Sequence, residues 1–211
     1  LIACKVITKL EFKKDIDYFS DLSSIDADTL RDFLQFIEDG YVFQTGGVRN
    51  LLEGDFFSWY CSSDIWSQEE SDIIVKLINT LELYSNSFLS PGFNTVDIFI
   101  DLYMEIMPPE VRHSLGEYFT PAWLADYVVK QSADLMDNSK FTAIDPCCGS
   151  GVFIMALIRH IIGSTEIQSL SSNEKRDLLN EILDRVKGVD INPLSVLTAK
   201  VSFYLSIRPL I

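Results

Sequence analysis

The chain has 211 residues, of which 47% are hydrophobic and 12% aromatic, so it can fill one large core or two small ones and is not globally disordered. No apolar run approaches the roughly 20 residues of a membrane-spanning helix, so we expect no membrane partner. The net charge of −14 excludes the chain, taken alone, from supplying the basic contacts that dominate affinity for duplex DNA. The first residues lack an initiator methionine and the features of a signal peptide, which indicates a fragment of a longer protein.

The cysteines and histidines show neither the CxxC spacing nor the clustering of a zinc site. They are Cys4, Cys61, Cys147 and Cys148, with His113 and His160 far apart. We therefore expect no metal site, no disulfide framework and a reducing, cytoplasmic environment. We interpret Cys147 and Cys148, which adjoin in a predicted loop, as small buried residues in preference to redox-active ones.

Residues 1–110 are predicted to form a mainly α-helical domain. The segment from Thr29 to Asp39 places its apolar residues on one helical face, and Gly40 stands where a left-handed C-cap would. The expected inward residues are Leu30, Phe33, Leu34 and Ile37. Residues 41–63 are aromatic and interrupted by glycine, and their pattern predicts no element.

Two further helices are expected in this domain. Ser67 and Glu70 form a capping-box pattern ahead of an amphipathic helix. Its apolar residues are Ile73, Ile74, Leu77, Ile78 and Leu81. The next helix runs from about Val96 to Met107, where Pro108-Pro109 ends it.

Residues 111–211 are predicted to be the start of an α/β domain, because helices and short strands alternate. The first helix begins with Thr120 as N-cap and Pro121 in its first turn, and it is followed by a strand from Phe141 to Asp145 and a helix from Val152 to Ile162. A polar stretch from Gly163 to Asn173 then leads to a helix containing Leu178 to Leu183. A strand from Val186 to Asp190 follows, and Asn192-Pro193 begins the last helix.

The turn between the first strand and its helix is rich in glycine, and this is a place where a ligand can approach the backbone and the unpaired N–H groups of a helix. A dinucleotide fingerprint needs a third glycine where Ile154 stands, and a P-loop needs a lysine that does not follow Gly151. The second strand ends in Asp190, whose carboxylate can accept hydrogen bonds from both ribose hydroxyls of an adenosine.

Three ordered motifs resemble those of the N6-adenine DNA methyltransferases of restriction–modification systems. They are Gly-Glu-Tyr-Phe-Thr-Pro at 116–121, Asp-Pro-Cys-Cys-Gly-Ser-Gly-Val-Phe at 145–153, and Gly-Val-Asp-Ile-Asn-Pro at 188–193. The likeness covers about residues 111–205 and is strongest to relatives whose cofactor motifs precede the catalytic motif. It implies S-adenosylmethionine as the cofactor and a Rossmann-like methyltransferase domain, truncated in this chain.

The resemblance also implies roles for the matching residues of the first motif. The segment from Glu117 to Pro121 would line the methionine end of the cofactor, with Thr120 at the start of its helix. Tyr118 or Phe119 would lie near the sulfonium in a cation–π placement. Either aromatic residue singly can equally be a core residue, and Thr120-Pro121 is also explained as a plain helix start.

For the second and third motifs, the resemblance implies that Asp145 binds the methionine amino group, directly or through water. The turn of Gly149, Ser150 and Gly151 would pass close under the cofactor. Asp190 would hold the ribose, and Ile191 would cover the adenine. Asp145 can alternatively cap its own turn, whereas Asp190 is harder to explain without a partner, since a strand-end acid is costly to leave unsatisfied.

In this family a later Asn/Asp/Ser-Pro-Pro-Tyr/Phe motif holds the flipped adenine, and no such tetrapeptide occurs in the chain. We therefore expect no catalytic residue here and no methyl transfer by this fragment alone. Double-stranded DNA would be bound by parts of the protein that this chain lacks, and specificity or restriction subunits are the other expected partners. Two alternatives stay open, an RNA or protein methyltransferase fragment and a non-catalytic cofactor-binding or assembly module.

Overall fold

A computed structural model describes Cys4 and residues 25–45, 47–52, 58–83, 108–114, 118–136 and 140–211, without the side chains of 81–83. The predicted helix from Val96 to Met107 lies outside these residues. The chain divides into two compact units, Leu1–Phe93 and Asn94–Ile211. The predicted domain boundary near residue 110 stays a prediction.

The described part of the first unit is helical. It contains α1 (Ala27–Glu38), α2 (Tyr41–Thr45), a short 3-10 helix (Ser58–Cys61) and α3 (Gln68–Leu83). Helix α1 begins two residues before the predicted start because Asp26 is its N-cap and accepts the Thr29 backbone N–H at 3.0 Å. Gly40 follows the helix with a φ of 78°, as the sequence predicts.

The core of this unit confirms the predicted face of α1 and corrects that of α3. Leu30, Leu34 and Ile37 are buried, with Phe33 half-buried. Among the described side chains of α3, Ser71 and Ile78 are buried, while Ile73 is 57% exposed and Leu77 45%; the predicted inward Leu81 lies outside this set. The helix carries more apolar residues than one face can hold, so apolar periodicity alone left its inward face ambiguous.

The second unit alternates helices with two short strands. Its elements are α4 (Pro109–Ser114), α5 (Ala122–Asp134), β1 (Ala143–Asp145), α6 (Val152–Ile162), a 3-10 turn (Ile167–Ser169), α7 (Ser172–Arg185), β2 (Val186–Gly188), α8 (Pro193–Ile207) and a final 3-10 turn (Arg208–Leu210). No helix in the described ranges is long and apolar enough to cross a bilayer.

The two strands pair in parallel, with Ala143 opposite Val186 and Asp145 opposite Gly188. Both are shorter than predicted, but hydrogen bonds continue beyond their ends. The Val189 N–H donates to the Asp145 carbonyl, and the Cys148 N–H donates to the Val189 carbonyl, each at 2.9 Å. The described chain is thus mostly helical with one small parallel sheet, and its loops after β1 and β2 are joined side by side.

Helix α6 is the centre of the second unit and has the predicted bounds. It packs against α5, α7, α8 and both strands. Its buried residues are Val152, Ile154, Met155, Ala156, Leu157 and Ile158. A helix covered on several sides is apolar nearly all round, which explains its hydrophobic sequence, in which only Arg159 and His160 are polar.

The starts of α5 and α7 differ from the sequence-based predictions. The N-cap of α5 is Pro121, not Thr120, and no side chain caps it; the ψ of 140° at Pro121 keeps that residue extended. Helix α7 begins inside the predicted polar stretch because Ser171 and Glu174 form a complete capping box.

Candidate cofactor site

A cleft of about 990 Å³ lies where the loops leave the carboxyl ends of β1 and β2. Its lining comes from residues 118–120, 145–150, 152–153 and 190–195. These segments include the loops after both strands and the first residues of α6 and α8. The volume is at the upper end of the range usual for small-molecule sites, about 300–1,000 Å³.

The structure brings most of the sequence-predicted site residues to this cleft. Those that line it are Tyr118, Phe119, Thr120, Asp145, Gly149, Ser150, Asp190 and Ile191. Pro121 caps α5 and Gly151 caps α6, and neither lines the cleft. Glu117 lies outside the described residues, so its predicted role stays a prediction.

Asp190 joins the loops that follow the two strands. Its Oδ2 accepts the backbone N–H of Gly149 and its Oδ1 accepts that of Asn192, each at 2.8 Å. These bonds satisfy the strand-end acid without any ligand. A carboxylate has about four acceptor sites, so each oxygen can still accept a second donor.

Asp145 shapes the turn that follows β1. Its Oδ1 accepts the backbone N–H of Cys147 at 3.1 Å, which is the local capping role that the sequence left open for it. The side chain is half-buried and also lines the cleft. Asp145 therefore both caps its own turn and lines the cleft in which a ligand would lie.

The two glycines of the turn differ in what a side chain would meet. Gly149 has a φ of 52°, lines the cleft, and an added Cβ there would meet nothing within 4 Å. Gly151 has a φ of 95°, and an added Cβ would lie 3.3 Å from the Cβ of Ala199 in α8. An added Cβ at Gly151 would therefore meet helix α8, and the predicted approach of a cofactor to Gly151 stays a prediction.

Ser150 carries an unsatisfied polar group. It is only 5% exposed, it lines the cleft, and its hydroxyl has no hydrogen-bond partner among the described residues. A buried hydroxyl without a partner is costly, and such groups call for a physical explanation. The hydroxyl oxygen itself has almost no accessible surface, so it faces the packed side of the turn and not the open space of the cleft.

Tyr118 and Ile191 are not core residues. Tyr118 is 76% exposed and stacks on the His113 ring, with centroids 5.5 Å apart. Ile191 is 99% exposed. Phe119, by contrast, is half-buried. The alternative of a plain core aromatic is therefore wrong for Tyr118.

The cleft is acidic where the structure describes it. Asp145 and Asp190 line it, and none of its lining residues is a lysine, arginine or histidine. Burial, followed by the charges of Asp145 and Asp190, raises the pKa of the Cys148 thiol to about 11. This environment favours hydrogen-bond donors and cations over phosphate groups.

The sequence did not predict two structural features beside the cleft. An added Cβ at Gly188 would lie 3.1 Å from Ile154 and 3.2 Å from Cys148, so this glycine lets the sheet pack closely on α6. Cys148 is buried as interpreted, but Cys147 is exposed.

Asn192 is the predicted N-cap of α8 and accepts the Leu194 N–H at 3.0 Å.

A protein-family model matches the second part of the chain. The family model described as N-6 DNA Methylase matches residues 94–205, which is more than half of the chain and includes every described segment of the cleft. No solved structure matches the chain. The chain therefore belongs to the N-6 DNA methylase family.

Proposed function

We propose that this chain is the S-adenosylmethionine-binding part of a site-specific DNA adenine-N6 methyltransferase from a restriction–modification or related phage-defence system. The observation that carries the proposal is the convergence of three separated sequence motifs on one cleft, through Tyr118 to Thr120, Asp145 to Ser150 and Asp190 to Ser195. Family membership supplies the reaction class, which is methylation of DNA.

The charge of the cleft supports this cofactor over a dinucleotide. S-adenosylmethionine carries a sulfonium and an ammonium group, and both are attracted by Asp145 and Asp190, which line the site without a basic neighbour in its described lining. A dinucleotide brings a pyrophosphate, which those two carboxylates would repel. The same argument disfavours other phosphate ligands.

The residues present fit the cofactor. Asp145 would take the methionine ammonium, and Asp190 would use its remaining acceptor sites for the ribose hydroxyls. Gly149 leaves open space above the turn. Tyr118 and Ile191 expose faces that can cover the sulfonium and the adenine, respectively. When bound, the cofactor would supply the methyl group, while these residues hold and orient it.

The rest of the reaction requires residues that this sequence does not contain. No Asn/Asp/Ser-Pro-Pro-Tyr/Phe tetrapeptide is present to hold the target adenine. We propose that this motif, the basic DNA-recognition surface and any specificity or restriction subunit belong to the remainder of the enzyme. The whole domain would then complete a Rossmann-like sheet from the parallel pair of β1 and β2.

Calorimetry on the full 211-residue chain tests the cofactor. S-adenosylmethionine should bind and NAD should not. Gly149→Ala should weaken binding at least tenfold, about 1.4 kcal/mol, because its Cβ would project into the space above the turn. Gly163→Ala is the matched control, since Gly163 has a similar φ of 55° but lies outside the cleft at the end of α6. Binding of NAD in place of S-adenosylmethionine, or equal losses in both variants, would contradict the proposal.

A further inference from the structure

Ser195 differs from Ser150 and Ser202 in how its hydroxyl is enclosed. It is only 5% exposed, and among the described residues its hydroxyl has no hydrogen-bond partner. The oxygens of Ser150 and Ser202 are equally unpaired but have almost no accessible surface, whereas the Ser195 oxygen is not closed off in this way. Because Ser195 lines the cleft and is otherwise buried, the open side of its hydroxyl faces the cleft.

The backbone of Ser195 offers a second unused donor. Helix α8 has Asn192 as its N-cap, whose side chain accepts the Leu194 N–H and whose carbonyl accepts the Val196 N–H. The Ser195 N–H lies between these two and has no partner within the described part of the chain. Such free N–H groups give the first turn of a helix partial positive charge. Ser195 therefore presents two donors at the start of a 15-residue helix.

Helix geometry places Ser195 beside the glycine turn that follows β1. Ala199 is four residues further along α8, on the same face of the helix, and lies 3.3 Å from an added Cβ at Gly151. Ser195 is one turn nearer the start of α8, which is the end that lines the cleft. Its hydroxyl therefore lies at the floor of the cleft, on the side formed by residues 190–195.

The hydrogen-bonding polarity of this part of the cleft requires such a donor. Asp190 lines it as an ionised carboxylate, which can only accept hydrogen bonds. The adenosine portion of S-adenosylmethionine has ribose hydroxyls that donate, and it also has ring nitrogens that only accept. A site with Asp190 alone would leave those acceptors without a protein partner.

We propose that Ser195 binds the adenosine portion of S-adenosylmethionine, with its hydroxyl donating to an acceptor atom of the nucleoside. This inference rests on the proposed function and extends it by one binding residue. Asp190 and Ser195, five residues apart in the same lining segment, then supply the acceptor and the donor that a nucleoside needs.

Calorimetry on the full chain tests the inference with two ligands, S-adenosylmethionine and methylthioadenosine, which keeps the adenosine portion and lacks the amino acid. Ser195→Ala should weaken both by roughly fivefold, the effect of one neutral hydrogen bond. Ser202→Ala is the matched control in the same helix and should weaken neither, because its hydroxyl is sealed away from the cleft. Urea unfolding verifies that both variants fold. Ser195→Cys keeps the size of the side chain with a weaker donor, so its affinities should fall in the same direction.

Several outcomes would overturn the inference. They are unchanged affinities in Ser195→Ala and Ser195→Cys, or equal losses in Ser195→Ala and Ser202→Ala. A loss for S-adenosylmethionine alone, or a parent chain that binds S-adenosylmethionine but not methylthioadenosine, would assign Ser195 away from the adenosine portion. A parent that binds methylthioadenosine alone would overturn the proposed function while still deciding the role of Ser195, and a parent that binds neither ligand would overturn both.

Discussion

At the scale of single residues, Ser150 and Ser202 share one property, a buried side-chain hydroxyl that forms no hydrogen bond in the described part of the chain. They are 5% and 1% exposed, and neither hydroxyl has a partner in the described ranges. Ser150 lines the cleft, whereas Ser202 lies within α8 away from it. The pair therefore tests, inside and outside the cleft lining, how much an unsatisfied buried hydroxyl destabilises the folded protein.

We expect Ser150→Ala and Ser202→Ala each to leave the ligand-free protein as stable as the parent, or more stable by up to about 1 kcal/mol, since each removes an unsatisfied polar group. Neither variant should lose S-adenosylmethionine affinity, because both hydroxyl oxygens have almost no accessible surface and cannot reach a ligand in the cleft. Urea unfolding and calorimetry measure the two effects. An affinity loss confined to Ser150→Ala would show that the turn opens and that this hydroxyl does contact the ligand.

Asp190 shows what sequence can and cannot predict about a single residue. The strand-end position and the surrounding motif predicted an acid at the cleft, and Asp190 lines it. The two backbone donors, Gly149 and Asn192, could not be predicted, because the Gly149 bond spans 41 residues and depends on how β1 and β2 align. Likewise, the exposure of Cys147 follows from the turn that Asp145 caps and not from residue type.

At the scale of elements, the contact between the start of α6 and α8 depends on Gly151. An added Cβ would lie 3.3 Å from the Ala199 Cβ and 3.4 Å from its Cα, at a φ of 95° that disfavours any side chain. Gly151→Ala should therefore destabilise the protein by more than about 1 kcal/mol. Ala199→Gly alone should cost about 0.5–1 kcal/mol as a glycine inside a helix, and it should cost less when added to Gly151→Ala, because it then removes one of the crowded atoms.

Urea unfolding of both single variants and of the double variant forms the cycle that measures this coupling. A favourable coupling of about 0.5 kcal/mol or more is expected for residues in contact. If the changes in the free energy of unfolding of the two single variants simply add, then backbone strain, and not the contact with α8, explains the destabilisation by Gly151→Ala.

The start of α7 gives a prediction about pH. The Glu174 carboxylate accepts hydrogen bonds from the Ser171 hydroxyl at 2.6 Å and from its N–H at 2.9 Å. These bonds, the hydroxyl first, lower the pKa of Glu174 below its usual 4.5. A lowered folded-state pKa gives stabilisation that is present above pH 4.5 and is lost as the pH falls through the folded pKa.

We therefore expect the Glu174 carboxyl to titrate below 4.5 in the parent chain and to move back toward 4.5 in Ser171→Ala, which NMR titration can follow. The stability difference between these proteins should shrink as the pH falls below 4.5. A titration that Ser171→Ala leaves unchanged would show that the capping box does not set this pKa.

The sequence predicted the bounds of a helix correctly where apolar residues are dense, and it did not identify the buried face where apolar residues lie on more than one side of a helix. Helix α6 has its predicted bounds because a glycine stands at each end of a segment that is apolar except for Arg159 and His160. In helix α5 the buried residues are Ala125 and Val129, while Trp123 is 70% exposed and Tyr127 58% exposed. Small residues permit the close approach of α5 to α6, and hydrophobic size alone does not reveal that preference.

At the scale of the whole molecule, the α/β order of the second unit and the parallel pairing of its strands were predictable, and the register of that pairing was not. Two strands separated by a helix predict a parallel pair, and β1 and β2 pair in parallel. Their register depends on distant contacts such as Arg185, whose Nε donates to the Phe141 carbonyl at 2.7 Å and whose guanidinium lies 5.0 Å from that ring. Such contacts appear only once the chain is folded.

The charge of the whole chain gives the last prediction. With 31 acidic and 17 basic residues, the chain repels the phosphate backbone that provides most of the affinity in protein–DNA complexes. We expect no duplex binding by fluorescence anisotropy at physiological salt, and no radiolabelled methyl transfer to adenine-containing duplex, since the adenine-binding tetrapeptide is absent. Cofactor binding by the same sample is the control for folding. Methyl incorporation above a no-protein blank would show that residues outside the known motif can hold the adenine, and duplex binding that weakens with salt would reveal a local basic surface despite the net charge.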